Sequence, residues 1–113
     1  MINGLHAIVF SPQAEQLRAF FADVLEMPSV AAGNGWPVFA LPPAELAVHP
    51  ADQAGHHELY LMCDDIHATL AELRDKGVEV AREVSDQRWG LLAAIRLPDG
   101  SELPVYQPGH PRP

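Results

Sequence analysis

The sequence has few cationic side chains. Seven lysines and arginines stand against 15 aspartates and glutamates, which gives a formal net charge of −8 at pH 7. A negative field of this kind repels a phosphate backbone, and no basic cluster offsets it locally. We therefore expect neither nucleic acid nor an anionic membrane surface as a partner.

Cysteine and long apolar runs are scarce as well. Cys63 is the single cysteine, so no disulfide can form within the chain, which is typical of a reducing compartment. No apolar run approaches the roughly 18 residues of a transmembrane helix, and residues 1–10 lack the basic leader of a signal peptide. The sequence also lacks a nucleophile elbow, a phosphate-binding glycine loop and a dinucleotide fingerprint. The single cysteine and the lack of a leader or transmembrane segment predict a cytoplasmic protein.

The first half of the chain alternates between β-prone and helical patterns. Ser11 and Pro12 follow a short apolar run and predict the start of a helix. Apolar residues then repeat at helical spacing until Pro28, where the helix must end. Glycines and prolines supply turns at 33–35 and 42–43. The predicted strands of this half cover residues 5–10, 36–41 and 45–49.

The second half follows the same plan. A strand at 58–63 leads to Asp64 and Asp65, which predict the N-cap of a helix that Gly77 closes. Asp99-Gly100 predicts a tight hairpin turn. The strands around this turn are predicted at 78–84, 89–97 and 102–106.

The two halves also repeat in their text. Leu41-Pro42 followed by Glu45-Leu46 is echoed by Leu97-Pro98 followed by Glu102-Leu103. A half of this size is marginally stable alone, because it buries too little surface, and pairing of the halves is the natural remedy. The repeat predicts a single domain of two modules, residues 1–52 and 53–113. The alternative is two unrelated hairpins that share a Leu-Pro pair by chance.

Strand alternation separates an apolar face from a mixed face in each predicted strand. Leu46 with Val48, and Leu103 with Val105, should pack beneath the helices. A face that mixes carboxylates, imidazoles and apolar rings resembles the lining of a ligand pocket rather than a solvated sheet. The mixed faces carry His6, Phe39, Glu45, His49, Glu58, Tyr60, Met62, Glu102 and Tyr106.

The sequence resembles the vicinal oxygen chelate superfamily in four features taken together. These are the order βαβββ–βαβββ, His6 on the first strand, a helix that ends in VLEMP, and the segment LPDGSELPVYQP. That group includes glyoxalase I, extradiol dioxygenases, fosfomycin-resistance enzymes and bleomycin-binding proteins. The resemblance covers essentially the whole chain. It implies an α+β fold in which two modules form a cupped, barrel-like mixed sheet with the helices outside and a small-molecule site in the cup.

The resemblance also implies positions for a divalent metal. His6 and Glu58 match the ligands on the first strand of each module, with His57 as a fallback. Pro104 and Ala47 stand where the last-strand ligands belong. Glu102 and Glu45 lie two residues earlier on the same strands and faces, so these four side chains, His6, Glu45, Glu58 and Glu102, are the metal ligands we predict. Their oxygen and nitrogen donors suit Mg, Mn, Fe, Ni or Zn.

Two functions from different classes stay open at this stage. The first is a metal-dependent lyase, isomerase or dioxygenase that acts on a small oxygen-rich molecule, with Glu45 or Glu58 as the catalytic proton shuttle. The second is a metal-free protein that binds and sequesters an antibiotic or metabolite. Exposed half-barrel edges predict a homodimer in either case. The predicted substrate contacts are Trp36, Phe39, Tyr60, Met62, Trp89 and Tyr106.

Overall fold

A computed structural model describes residues 6–32 and 35–113. The chain divides into two compact units, Met1–Ala44 and Glu45–Pro113. The predicted turn residues Gly33 and Asn34, and Leu5 of the first predicted strand, lie outside the described residues. In the first unit the elements are helix α1 (Ala14–Ala19), a π-helical turn (Phe20–Val24), and strands β1 (Ser29–Ala31) and β2 (Pro37–Phe39).

Helix α1 begins two residues later than its proline suggests. The Ser11 hydroxyl oxygen accepts a hydrogen bond from the Gln13 amide at 3.1 Å, so this serine shapes the turn before the helix instead of capping it. Leu17 and Phe20 form the buried side of the helix and its π-helical extension. The chain then leaves helical geometry at Glu26, whose φ of 55° is left-handed.

Strands β1 and β2 form an antiparallel pair in which Val30 lies opposite Val38. The Ala40 amide donates to the Pro28 carbonyl at 2.8 Å and closes the far end of the pair. The ring of Phe39 packs against that of Phe21 at 6.0 Å between centroids, which ties β2 to the helix. Sequence reasoning missed β1, because three residues are too few to show an alternation.

The first predicted strand is wrong for its described residues, 6–10, which belong to no strand. A strand is held by hydrogen bonds to a neighbour, so a β-prone composition cannot create one where no neighbour pairs. Its apolar side chains stay exposed, and Phe10 keeps 88% of its surface.

The second unit contains one helix and a four-stranded mixed sheet. Strand β3 pairs in parallel with β6, and the other two pairs are antiparallel, in the order β3-β6-β5-β4. The elements are β3 (Leu61–Met62), α2 (Ile66–Asp75), β4 (Val80–Gln87), β5 (Gly90–Arg96) and β6 (Glu102–Pro108). This is the predicted βαβββ order, with β3 shorter than the strand expected at 58–63.

Helix α2 follows its sequence signals closely. The Asp65 carboxylate accepts a hydrogen bond from the Ala68 amide at 3.1 Å, which is the N-cap that the sequence predicts. Gly77 follows the helix with a φ of +86°, a conformation in which a side chain is strained. Ile66, Leu70 and Leu73 are buried and share one face, as their helical spacing predicts.

That face of α2 packs on one face of the sheet and forms the core of the unit. Leu103 and Val105 of β6 are buried there, together with Ile95 of β5, so the predicted apolar face of residues 102–106 is confirmed. The Gln107 side-chain oxygen accepts a hydrogen bond from the Ile66 amide at 3.0 Å and joins the start of the helix to β6.

The strand predicted at 45–49 is wrong, since these residues form no strand. Leu46 and Val48, which were expected beneath a helix, are 87% and 88% exposed. Alternation of apolar residues predicts a face only where a sheet and a covering layer both exist.

The α+β class predicted from the sequence is confirmed by the helices and mixed sheets. Within the described ranges, no helix is both long and apolar enough to cross a bilayer.

Candidate functional site

The sheet of the second unit presents a cavity on the face turned away from α2. Pairing of Ala94 with Pro104, and of Leu92 with Tyr106, gives this face a partly apolar floor. The cavity has a volume of about 360 Å³ and combines that floor with charged walls. Its lining residues are Glu58, Tyr60, Arg82, Glu83, Ser85, Gln87, Leu92, Ala93, Ala94, Glu102 and Pro104.

A break in the β4–β5 register decides which β4 side chains line this cavity. The pairing shifts between Val80 and Arg82 and again between Arg82 and Ser85. Each irregularity disturbs the simple alternation of faces, so Arg82, Ser85 and Gln87 all line the cavity although their numbers differ in parity. An uninterrupted alternation over 78–84 could not have predicted this wall.

Three aromatic rings pack together beside the cavity, and we call Tyr60, Trp89 and Tyr106 the aromatic cluster. The Tyr60 ring lies 6.4 Å from that of Trp89 and 5.7 Å from that of Tyr106, and the last two are 5.4 Å apart. All three contacts are edge-to-face, the geometry that the ring quadrupoles favour. Tyr60 also lines the cavity and so joins it to the cluster.

Two glycines hold Trp89 in place at the β4–β5 hairpin. The Trp89 carbonyl accepts a hydrogen bond from the Gly109 amide at 2.7 Å. Gly90 has a φ of 150°, and a Cβ there would collide with the Gln107 carbonyl oxygen. The chain can pass this close to β6 only because residue 90 lacks a side chain, and this closeness sets Trp89 against Tyr106.

Glu58 is bound to the aromatic cluster through a tyrosine hydroxyl. The Tyr60 hydroxyl donates to the Glu58 carboxylate at 3.1 Å. On the other side, the His56 ring nitrogen lies 3.7 Å from the same carboxylate. The Glu58 side chain remains 56% exposed, so this carboxylate is available to a ligand.

Glu45 accepts a hydrogen bond from the other tyrosine of the aromatic cluster, Tyr106, and is largely covered by neighbouring residues. The Tyr106 hydroxyl donates to the Glu45 carboxylate at 3.0 Å. The His110 ring nitrogen lies 3.2 Å from Glu45, and the Arg112 guanidinium lies 4.0 Å from it. Glu45 is 19% exposed, and the C-terminal segment supplies both of these basic groups.

Both tyrosine hydroxyls hold their protons more tightly than a free tyrosine does. Burial raises the pKa of Tyr60, and its hydrogen bond to Glu58 and the charge of that carboxylate raise it further. Burial likewise raises the pKa of Tyr106, with further contributions from the hydrogen bond and charge of Glu45. Each tyrosine is therefore a stable neutral donor, which suits a binding role better than that of an acid near neutral pH.

Glu102 lies in the same cavity as Glu58 but is neutralised by arginines. The Arg82 guanidinium contacts its carboxylate at 2.8 Å, and that of Arg96 lies 3.8 Å away. In the part of the chain that the structure describes, no three His, Cys, Asp or Glu side chains come together as a metal site.

Three other predicted site residues, His6, Trp36 and Phe39, lie in the first unit. His6 and Trp36 are exposed, and Phe39 is half-buried. The guanidinium of Arg18 lies 4.7 Å from the centre of the Trp36 ring, which is a cation–π contact. The predicted cavity between modules, to which His6 and Phe39 would contribute, stays a prediction.

The structure also brings in residues that sequence reasoning did not select. Arg82 faces the cavity, and the C-terminal residues His110 and Arg112 contact Glu45. Met62, one of the predicted substrate contacts, lies half-buried on β3 in register with Tyr106. Cys63 donates its thiol hydrogen to the Tyr106 carbonyl at 3.7 Å, and burial raises its thiol pKa, which agrees with a structural role.

Comparison with known proteins identifies the class. Residues 5–105 match the family described as the Glyoxalase/Bleomycin resistance protein/Dioxygenase superfamily. The chain belongs to this superfamily, and the resemblance seen in the sequence is confirmed. No curated protein sequence matches the chain significantly.

Several solved structures share the fold. The antibiotic-binding protein TnmS3 from Streptomyces sp. CB03234 is 24% identical, with a TM-score of 0.69 over 96% of this chain and 98% of that one. A superfamily member from Sphaerobacter thermophilus is 17% identical, with a TM-score of 0.69 over 94% and 98%. Lactoylglutathione lyase from Agrobacterium tumefaciens is 14% identical, with a TM-score of 0.66 over 93% and 92%. At these identities the likeness extends to the fold alone.

Proposed function

We propose that this protein binds a small aromatic molecule on the aromatic cluster of its second unit and that binding needs no metal ion. One observation carries the proposal: three aromatic rings meet beside a cavity of about 360 Å³, and two of them bear hydroxyls that donate to carboxylates. Apolar walls with a few fixed polar groups are characteristic of ligand pockets. The aromatic cluster would contact the ligand's rings, and the carboxylates would orient it.

The partners of the glutamates favour binding over metal chemistry. Glu102 is engaged by Arg82, and Glu45 by Tyr106 and the C-terminal segment. A carboxylate that must give up an arginine or a hydrogen bond makes a weaker metal ligand, because those interactions compete with the metal. Pro104 and Ala47 also lack donors at the positions where the superfamily resemblance implies last-strand ligands.

The antibiotic-binding relative TnmS3 supports the same reading by fold. Its described role shows that this architecture can hold an antibiotic, and the aromatic cluster gives the present chain a surface with which to do so. We propose an antibiotic or an aromatic metabolite as the ligand and sequestration as the outcome of binding.

Fluorescence of Trp89 tests the proposal directly. Trp36→Phe leaves Trp89 as the single tryptophan, so a panel of aromatic antibiotics and metabolites can be titrated against one reporter. We expect quenching with micromolar affinity in metal-free buffer that contains a chelator. Tyr60→Ala should weaken binding about tenfold, since an aromatic contact is worth about 1 kcal/mol beyond its buried area. Phe21→Leu, in the first unit, is the matched control and should bind normally.

A metal-dependent lyase, isomerase or dioxygenase is the second candidate. The 56% exposure of the Glu58 carboxylate favours it, because this group has room for a further partner. In that case His6, Glu45, Glu58 and Glu102 would hold Mg, Mn, Fe, Ni or Zn, and Glu45 or Glu58 would move a proton. Stoichiometric metal after purification without chelators, lost in His6→Ala, would establish this candidate and overturn metal-free binding.

The compartment and assembly state are proposals of the same kind. The single cysteine favours the cytoplasm, where disulfides are rare. The exposed apolar segments 6–10 and 46–48 favour a homodimer.

A further inference from the structure

The carboxylates that line the cavity differ in whether an arginine of the protein neutralises them. Three glutamates and one arginine line it. One guanidinium nitrogen of Arg74 donates to both carboxylate oxygens of Glu83, at 2.7 and 2.9 Å. Glu102 contacts Arg82, the arginine that lines the cavity, at 2.8 Å. The third carboxylate, Glu58, has no lysine or arginine partner among the described residues.

Comparison of Glu58 with Glu45 sharpens this contrast. Each accepts a hydrogen bond from a tyrosine of the aromatic cluster. Glu45 also meets two basic groups of the C-terminal segment and is 19% exposed. Among the described residues, the basic group nearest Glu58 is the His56 ring nitrogen at 3.7 Å, and the Glu58 side chain is 56% exposed. The chain therefore supplies a countercharge at one of these carboxylates and leaves the other open.

The aromatic cluster strengthens the attraction for positive charge at this open end. A tyrosine that donates its hydrogen to a carboxylate shifts electron density toward its ring, which makes the ring face more negative. Tyr60 is in this state beside Glu58, and Tyr106 is in it beside Glu45. Trp89 stands against both, and tryptophan is the ring that binds cations best.

We infer that the second unit selects ligands with an organic cation, and that the ligand's ammonium or guanidinium group lies between Glu58 and the rings of Tyr60 and Trp89. This inference rests on the proposed function, to which it adds the charge of the ligand. The net charge of −8 draws such ligands toward the protein and repels anionic ones.

Matched probes isolate the charge of the ligand. Benzyltrimethylammonium, benzyl alcohol and benzoate share one ring and differ in charge, and the quaternary ammonium keeps its charge at every pH. Each is titrated into the Trp36→Phe protein with a chelator present, and Trp89 fluorescence and calorimetry report binding. We expect the cation to bind about tenfold more tightly than the alcohol, as a partly desolvated cation–π contact with an ion pair implies.

Two glutamate variants test whether Glu58 causes the preference for the cationic probe. Glu58→Gln should remove most of the tenfold difference in affinity between the cation and benzyl alcohol. Glu72→Gln removes the same charge from α2, where the side chain is 69% exposed beside Lys76, and should keep the difference. Because both glutamates are exposed, neither change should alter the melting temperature beyond a degree or two.

The possible outcomes separate the two levels of the proposal. Loss of the cation preference in Glu58→Gln, but not in Glu72→Gln, supports the organic-cation site. Equal binding of all three probes at Trp89, or a preference that survives Glu58→Gln, overturns this inference and leaves the proposed function standing. If neither the probes nor the antibiotic panel bind, both are overturned.

Discussion

The chain has two tyrosines, and each donates its hydroxyl hydrogen to a glutamate. Each hydrogen bond fixes the orientation of one ring and one carboxylate relative to each other. Neither glutamate is adjacent in sequence to its tyrosine: Glu58 precedes Tyr60 by two residues, and Glu45 precedes Tyr106 by 61. The shorter link lies within the segment that leads into β3, whereas the longer one needs the folded chain.

A spectroscopic titration tests the tyrosine–glutamate pairs. Both tyrosines should ionise above the ordinary value of 10.0, because burial and the adjacent carboxylate disfavour the phenolate. Near-ultraviolet absorbance of tyrosinate measures this cleanly in a chain with so few tyrosines. Glu58→Gln should lower the pKa of Tyr60, and Glu45→Gln that of Tyr106. Titration of both tyrosines at the ordinary value would contradict the hydrogen bonds.

The same shift has a consequence for stability. A raised pKa in the folded state stabilises the fold below the unfolded value of 10.0, and this contribution is lost as the pH rises through the folded value. The free energy of unfolding should therefore fall as the pH rises above 10.0 and level off above the raised pKa values of the folded state. Tyr60→Phe should make the fall shallower, because one of the groups that titrate has been removed.

At the scale of the element, helix α2 shows how local signals act together. It has 10 residues, too few for a stable isolated helix, so its cap and its buried face must both contribute. Ile66, Leu70 and Leu73 supply the face, Asp65 caps the start and Gly77 ends it. The hairpin between β5 and β6 is specified in the same way, with Gly100 at a φ of +87° and its amide bonded to the Leu97 carbonyl.

Removal of the cap gives a prediction at this scale. Asp65→Ala should lower the free energy of unfolding by about 1 kcal/mol, because the Ala68 amide loses its acceptor. Denaturant titration with circular dichroism measures the change. Asp64→Ala is the matched control: its side chain is fully exposed, and the change should cost less than about 0.5 kcal/mol. Equal costs for the two variants would show that Asp65 does not act as a cap.

At the scale of the whole molecule, several large apolar side chains remain in contact with solvent. Ile8, Phe10, Leu46 and Val48 are all exposed, and they come from the two segments that were predicted as strands and found unpaired. Extended apolar segments without a sheet partner are open to pairing with another chain. This is the physical basis for the homodimer that we propose.

Light scattering at micromolar concentration should give twice the chain mass of 12.3 kDa. Val48→Glu should raise the dissociation constant of the dimer at least about tenfold, since burial of an unpaired charge costs several kcal/mol. Gln53→Glu adds the same charge at an exposed polar position and should leave the dimer intact. A wild-type mass equal to one chain would refute the homodimer, and equal effects of the two variants would exclude Val48 from the interface.

The sequence by itself determined the parts of this protein that depend on near neighbours. The cap and stripe of α2, the Asp99-Gly100 turn, the βαβββ order of residues 61–108 and the superfamily all follow from short-range patterns, because local hydrogen bonds and side-chain periodicity act within a few residues. The apolar pattern at 45–49 failed for the same reason: it describes a strand's composition and not its partner.

Tertiary structure alone decided the composition of the candidate site. Trp89 meets Tyr60 and Tyr106 because Gly90 lets the hairpin approach β6, and Arg82 faces the cavity because the register of β4 shifts. Glu45 acquires His110 through a return of the C-terminal segment. Such contacts join residues far apart in the chain, and their energies depend on packing that no local pattern encodes.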